Sequence, residues 1–195
     1  MTSTRINYFG YGSLVNRDTR PAGEVADTAR LMGWRRVWEH RVIEPNREKL
    51  CTSLSVEPLE DTVAGGIDGV VVSIPVHELA QLDERESGYE RLTLPADCFD
   101  LPDSFEGDEV MVYRSLPENR ALADSEHPIL QSYVDCVMAG YLRRFSETGL
   151  RALMDSTRGW DRSIFDDRVD PFYPRWVEVD DISCAMFDEY LDKVR

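Results

Sequence analysis

The sequence predicts an α+β fold, a small mixed β-barrel or curved sheet with flanking helices. Three observations predict it. Strand-like runs crowd the first two-thirds of the chain, one dominant amphipathic helix comes late, and 195 residues with 42% hydrophobic and 10% aromatic content suit one well-filled core. No linker or internal repeat divides the chain, so residues 1–195 are expected to form a single domain, with a core over about 6–150 and a C-terminal extension over about 156–195.

The first element is "RINYFGY" at residues 5–11, rich in β-formers and followed at once by Gly12-Ser13, so a strand runs into a tight turn. A second strand is expected over residues 31–42, "LMGWRRVWEHRV", with Met32, Trp34, Arg36 and Trp38 sharing one face at period two. Residues 51–56 form a shorter candidate, and the apolar run "IDGVVVSI" at 67–74 reads as a strand buried on both faces. Pro75 permits a helix start, "VHELAQLDERE" continues it, and Gly88 stops it. Residues 91–94 and 109–113 complete the early strands. From about Pro128 a long helix carries Leu130, Tyr133, Val134, Val137, Met138, Tyr141 and Phe145 on one stripe, with Gly149 placed as its C-terminal cap. A short helical piece follows, then a loop rich in Asp, Arg and Pro, a strand over 176–179 and a terminal helix over 182–194.

The formal net charge of −15 argues against a nucleic-acid partner, whose phosphates demand a basic surface, and disfavours an anionic membrane surface. No apolar run approaches the roughly 20 residues of a membrane helix, and Met1 to Arg5 contain no apolar stretch of the secretory kind. A cytoplasmic protein is expected, with Cys51, Cys98, Cys136 and Cys184 as reduced thiols, since they are widely spaced and form no C-x-x-C pair. His40, His77 and His127 are equally scattered, so no metal site is expected.

Glu86 is the first candidate for chemistry. It lies seven residues after Leu79 and four after Leu82, on the apolar face of its helix. A carboxylate there is paired, protonated or functional. Two readings stay open: a general acid/base with a raised pKa, or a buried ion pair with one of the many arginines.

The turn "GYGSLVN", residues 10–16, is the second candidate, because successive backbone N–H groups at a glycine tip can cradle an anion or oxyanion. As a dinucleotide fingerprint it is incomplete, with Val15 in the third glycine position, and as a hydrolase elbow it fails, with Tyr11 in the first. Tyr89, Tyr113, Tyr133 and Tyr141 fit either core packing or a pocket wall.

Together these pieces resemble the γ-glutamylcyclotransferase-like family. "FGYGSLVN" at 9–16 looks like its signature turn, and "LDERESGY" at 82–89 like its second signature, whose aligned glutamate, here Glu86, is the catalytic residue. "SYVDCVMAGYLRRFSETGL" at 132–150 is similar to the family's late helix, with Tyr133 matching its substrate-side tyrosine. The turn carries Ser13-Leu14 as in the glutathione-specific branch, the late helix resembles the general branch, and the segment after Ser156 matches neither.

The resemblance implies release of 5-oxoproline from a small-molecule γ-glutamyl substrate, with Glu86 as general acid/base. It implies substrate binding by Tyr11, Gly12, Ser13, Leu14, Tyr89 and Tyr133, no metal and no cofactor, and it admits a homodimer. The alternatives are a non-catalytic small-molecule binding or regulatory module on the same scaffold, and a serine hydrolase using Ser13, which the turn sequence disfavours.

Overall fold

A computed structural model describes residues 4–21, 24–42, 50–60 and 65–194. The first residues of the chain, on which the reading of no secretory leader partly rests, lie outside the described residues. In chain order the strands and helices are β1 (Arg5–Gly10), β2 (Ala26–Met32), β3 (Trp34–Val42), β4 (Cys51–Pro58), β5 (Gly66–Pro75), α1 (Leu79–Arg85), β6 (Tyr89–Pro95), β7 (Phe99–Asp100), β8 (Glu109–Ser115), β9 (Ile129–Leu130), α2 (Gln131–Asp155), β10 (Thr157–Arg158), β11 (Ile164–Phe165) and α3 (Asp181–Asp192).

The strands form two sheets. One has the order β6-β8-β1-β5-β2-β7 and the other β10-β3-β4-β9-β11. β5 lies at the centre of the first, antiparallel to both β1 and β2, while β1 pairs parallel to β8. That position explains its continuous apolar run, since Ile67, Val70, Val72 and Ile74 are all buried. Several contacts join the sheets, two of them through the backbone. The β2–β3 corner turns at Gly33, with φ 73°, and the Ser115 N–H at the end of β8 donates to Ser55 Oγ on β4 at 3.0 Å. The result is the expected α+β architecture, a mixed, curled half-barrel with three helices.

The corner at Gly33 corrects the single strand expected over residues 31–42. Met32 ends one strand exposed, Trp34 starts the next half-buried, and only Arg36 and Trp38 of the proposed face are fully enclosed. β2 escapes a reading by hydrophobic run because Asp27, Thr28 and Arg30 interrupt it.

The late helix α2 packs its stripe of Tyr133, Val134, Val137, Met138 and Tyr141 into the core. It does not end at Gly149. The backbone breaks at Ser146 (φ 62°, ψ −170°) and resumes to Asp155, so the helix and the short helical piece expected after it are two limbs across a kink. Gly149 sits inside the second limb, where any Cβ would collide with Phe145. Residues 176–179 are irregular and not a strand.

The C-terminal segment closes over the domain. Trp160, Tyr173, Phe187 and Leu191 are buried with the core, and Trp160 packs edge-on against Trp38 with ring centroids 5.1 Å apart. Arg36, fully buried, ties three regions together. Its Nε donates to the Tyr11 carbonyl at 2.8 Å, its Nη1 to Ser156 Oγ at 2.7 Å, and its Nη2 to the Asp68 carbonyl and the Tyr141 hydroxyl. No helix among the described residues is long and apolar enough to cross a membrane.

Candidate functional site

Glu86 is placed by the way α1 ends. Its N–H still donates to the Leu82 carbonyl at 3.0 Å, so it keeps helical register with buried Leu82 although the helix proper stops one residue earlier. Gly88 then adopts φ 89°, a left-handed conformation that suits glycine, and the chain turns into β6. The inward direction expected from the apolar stripe is therefore kept at the helix cap: the Glu86 side chain is only 16% exposed.

The turn after β1 lies opposite. Residues Ser13–Val15 form one 3-10 turn, in which the N–H groups of Val15 and Asn16 donate to the carbonyls of Gly12 and Ser13. The N–H groups of Gly12, Ser13 and Leu14 have no partner among the described residues. Asn16 locks the turn to α2, its Nδ2 donating to the Cys136 carbonyl at 2.9 Å, and the Gly140 Cα sits where a Cβ would strike the Asn16 backbone. A Cβ on Gly12 would stand 3.0 Å from the Tyr133 hydroxyl, so glycine is what lets α2 approach the turn.

One cleft is lined by Tyr11, Gly12, Ser13, Leu14, Glu86, Tyr89 and Tyr133, with Leu54 and Tyr113 among the rest of its wall. The residues that the resemblance assigned to the site all line it, whereas Tyr141 lies in the core against Arg36. Two details are sharper than the sequence allowed. The Tyr11 hydroxyl donates to the Tyr113 carbonyl at 2.6 Å, and the Tyr89 hydroxyl to the Leu54 carbonyl at 2.8 Å, so each phenol has already committed its one proton. Tyr89 also stacks on His40 with ring centroids 3.8 Å apart, and His40 Nδ1 lies 2.9 Å from Ser115 Oγ, which fixes the ring from behind.

The cleft is narrow. Its free volume is about 30 Å³, room for one or two waters. A roomier hollow of about 760 Å³ between Arg5, Asn7, Glu24, Ser73 and Glu78 contains none of these residues.

Both sequence-level readings of Glu86 find support in its surroundings. Burial pushes its carboxyl above the usual carboxylate range, and the nearby guanidinium groups of Arg85 and Arg175 pull against that without cancelling it. The Arg85 Nε is 3.3 Å from Glu86 Oε1, while Arg85 Nη1 donates to the Thr19 carbonyl at 2.8 Å. Burial also drives the phenols of Tyr11, Tyr89 and Tyr133 well above their ordinary value, which keeps them neutral around the carboxylate.

Sequence reasoning missed what the C-terminal segment adds. Tyr173 packs on Tyr133 with ring centroids 4.8 Å apart, and Arg175 stands 5.5 Å above the Tyr173 ring. Asp167 holds this segment to the start of α2, accepting from Ser132 N at 2.7 Å, Ser132 Oγ at 2.6 Å and Phe172 N at 2.9 Å. No periodicity marks Tyr173 or Arg175, since they lie in irregular backbone. Among the described residues, no group of three or more His, Cys, Asp or Glu side chains could hold a metal ion.

Comparison with solved structures finds the same fold in a γ-glutamyl cyclotransferase, with TM-score 0.60 and 14% identity over 95% of this chain and 99% of that one. It also finds it in an uncharacterized protein from Homo sapiens, with TM-score 0.59 and 15% identity over 94% and 98% of the two chains. YkqA from Bacillus subtilis matches with TM-score 0.56 and 20% identity over 79% of this chain and 54% of that one. No family model matches the chain, and neither does any curated protein. At these identities the likeness is one of fold.

Proposed function

We propose that this chain is a γ-glutamylcyclotransferase-type enzyme that releases 5-oxoproline from a γ-glutamyl compound by intramolecular aminolysis. One observation carries the reading: an enclosed carboxylate, Glu86, shares a cleft with the unpartnered N–H groups of Gly12, Ser13 and Leu14. The fold shared with a γ-glutamyl cyclotransferase supports it.

The chemistry follows from the groups present. Glu86 accepts a proton from the substrate's α-ammonium group, and the freed amine attacks the γ-carbonyl carbon. A C–N bond forms within the substrate, closing a five-membered ring, and the developing oxyanion or the α-carboxylate is held by the backbone N–H groups of the turn. Glu86 returns the proton to the departing nitrogen as the original amide C–N bond breaks, and the second proton that the ring nitrogen sheds passes to the released amine, giving 5-oxoproline and a free ammonium with no water consumed. The reacting atoms belong to one molecule, so the enzyme mainly selects the folded conformer; well-oriented intramolecular reactions reach effective molarities of about 10⁵ M or more. A carboxyl raised by burial is matched to this double duty. Tyr11, Tyr89 and Tyr133 bind the substrate by shaping the pocket, and Tyr11 and Tyr89 offer it lone pairs while their protons stay on backbone carbonyls.

The test is Glu86→Gln, assayed for 5-oxoproline release across γ-glutamyl amino acids, peptides and amines. A drop of about 10²- to 10⁴-fold is expected with the thermal midpoint retained; a variant as active as the parent sinks the assignment. The Arg85–Glu86 pair favours a second reading, a non-catalytic binding or regulatory module. Saturable binding of γ-glutamyl compounds without any release would establish it.

A further inference from the structure

Arg85 and Glu86 are neighbours in sequence that serve two sides of one wall. Successive helical residues point about 100° apart, so the two side chains do not share a face. Glu86 lines the cleft, whereas Arg85 lines a separate cavity of about 70 Å³ with Tyr8, Glu24, Glu78 and Leu82. Arg85 is nonetheless the one cation within salt-bridge distance of Glu86 among the described residues, with its Nε 3.3 Å from Oε1. Both side chains are enclosed, at 15% and 16% exposure.

The far end of the guanidinium reaches the amide turn. Nη1 donates to the Thr19 carbonyl at 2.8 Å, and the Thr19 hydroxyl is shared between the carbonyls of Ser13 at 2.7 Å and Asn16 at 3.1 Å. One planar group thus spans Glu86 and the segment that carries the free N–H groups, a fork that a lysine ammonium lacks. Arg85 Nε and Nη2 are buried without a hydrogen-bond partner among the described residues. The contact with Glu86 is therefore electrostatic, and the carboxylate keeps its lone pairs for the cleft. The other groups around Glu86 are the neutral phenols of Tyr11, Tyr89 and Tyr133 and the more distant charge of Arg175, while Glu24 and Glu78 share the small cavity with Arg85.

Resting on the proposed function, we infer that Arg85 is a positioning residue, which from behind the cleft wall holds the Glu86 carboxylate in place relative to the turn amides and keeps it in its basic form. Arg85 does not line the cleft, so it acts on the substrate only through Glu86, at the step that takes the α-ammonium proton. Burial drives the Glu86 carboxyl toward its protonated form, and the adjacent positive charge opposes that. An enclosed ion pair kept for stability alone needs its polar atoms satisfied, and Arg85 leaves two of its nitrogens bare.

The test follows 5-oxoproline release against pH in the parent, R85M and R85K, using whichever of γ-glutamylalanine, glutathione and γ-glutamylethylamine the parent turns over fastest. R85M removes the charge, so the acid limb of kcat/KM should move up by about one pH unit or more. R85K keeps the charge and loses the fork; its acid limb should stay with the parent's while kcat falls about 10-fold at unchanged KM. Loosened packing alone lowers the thermal midpoint without moving the limb. If R85M does not fold, R85K decides the matter, since parent-like kcat there overturns the assignment. An acid limb in folded R85M that coincides with the parent's, or a variant changed in KM alone, overturns it too and leaves the cyclotransferase reading standing. A parent that releases 5-oxoproline from none of the three compounds overturns that reading and the assignment with it.

Discussion

The Tyr133 hydroxyl stands 3.0 Å from the point a Cβ on Gly12 would occupy, with Leu54 Cδ1 3.5 Å away on the same side. The contact joins the end of β1 to the first turn of α2, and it makes the shape of the cleft depend on a missing methyl group. Gly12→Ala should therefore displace Tyr133 more than it unfolds the protein. We expect kcat/KM for 5-oxoproline release to fall at least about 10-fold with a stability loss of about 1–2 kcal/mol. Gly12→Ala combined with Tyr133→Phe, which removes the crowded oxygen, should recover much of the stability in denaturant titration.

The position of the Glu86 carboxyl has a consequence for both activity and stability. Its pKa is raised in the folded chain, so the folded state holds this proton more tightly than the unfolded state does. Below the ordinary carboxylate range both states are protonated and the group is neutral in its effect. As pH climbs from that range through the raised folded value, the unfolded chain ionises first and stability is lost. Glu86→Gln, always neutral, should match the parent's thermal midpoint at the acid end and exceed it above the window. In the parent, the acid limb of kcat/KM should rise above the usual carboxylate range, since the basic form is required.

Asp167 is buried, and its carboxylate accepts three hydrogen bonds that hold the C-terminal segment to α2. Asp167→Ala leaves the Ser132 and Phe172 N–H groups unpaired and should cost about 2–3 kcal/mol by chemical denaturation. Limited proteolysis should cut the variant first between Trp160 and Trp176, before the sheets are attacked. A parent-like digestion pattern would mean that the aromatic packing alone holds the segment.

Ser146 occupies a backbone region that is nearly reserved for glycine, φ 62° and ψ −170°, at the kink of α2, and it is exposed. Ser146→Gly should relieve the strain and stabilise the protein by about 1 kcal/mol, a rise of roughly 2–4 °C in the thermal midpoint. A lower midpoint would show that the kink is held by contacts that glycine loosens.

Much of this was legible in the chain itself. β1, β4, β5, β6, β8, α2 and α3 follow from local pattern, because hydrophobic period and β-former content register burial directly. The direction of Glu86 was also readable, since a residue four after Leu82 shares its face whether the helix runs on or stops one residue sooner. The two-residue strands β7, β9, β10 and β11 were not, because pieces that short carry no period and exist only through the partner they pair with. The corner at Gly33 was hidden by an alternation of large side chains that continues across it, although the backbone changes sheets there.

The sequence by itself determined the fold class and the inward direction of Glu86, while the set of side chains from Tyr11 to Tyr133 that gather in one cleft came from the family resemblance and not from any element's period. Only the tertiary structure decided what surrounds Glu86. The pairing with Arg85, the phenol protons given to backbone carbonyls, the narrowness of the cleft, and the arrival of Tyr173 and Arg175 all depend on segments far apart in the chain meeting in space. Burial and long-range Coulomb interaction set the chemistry of a carboxyl group, and neither is a property of its neighbours in sequence.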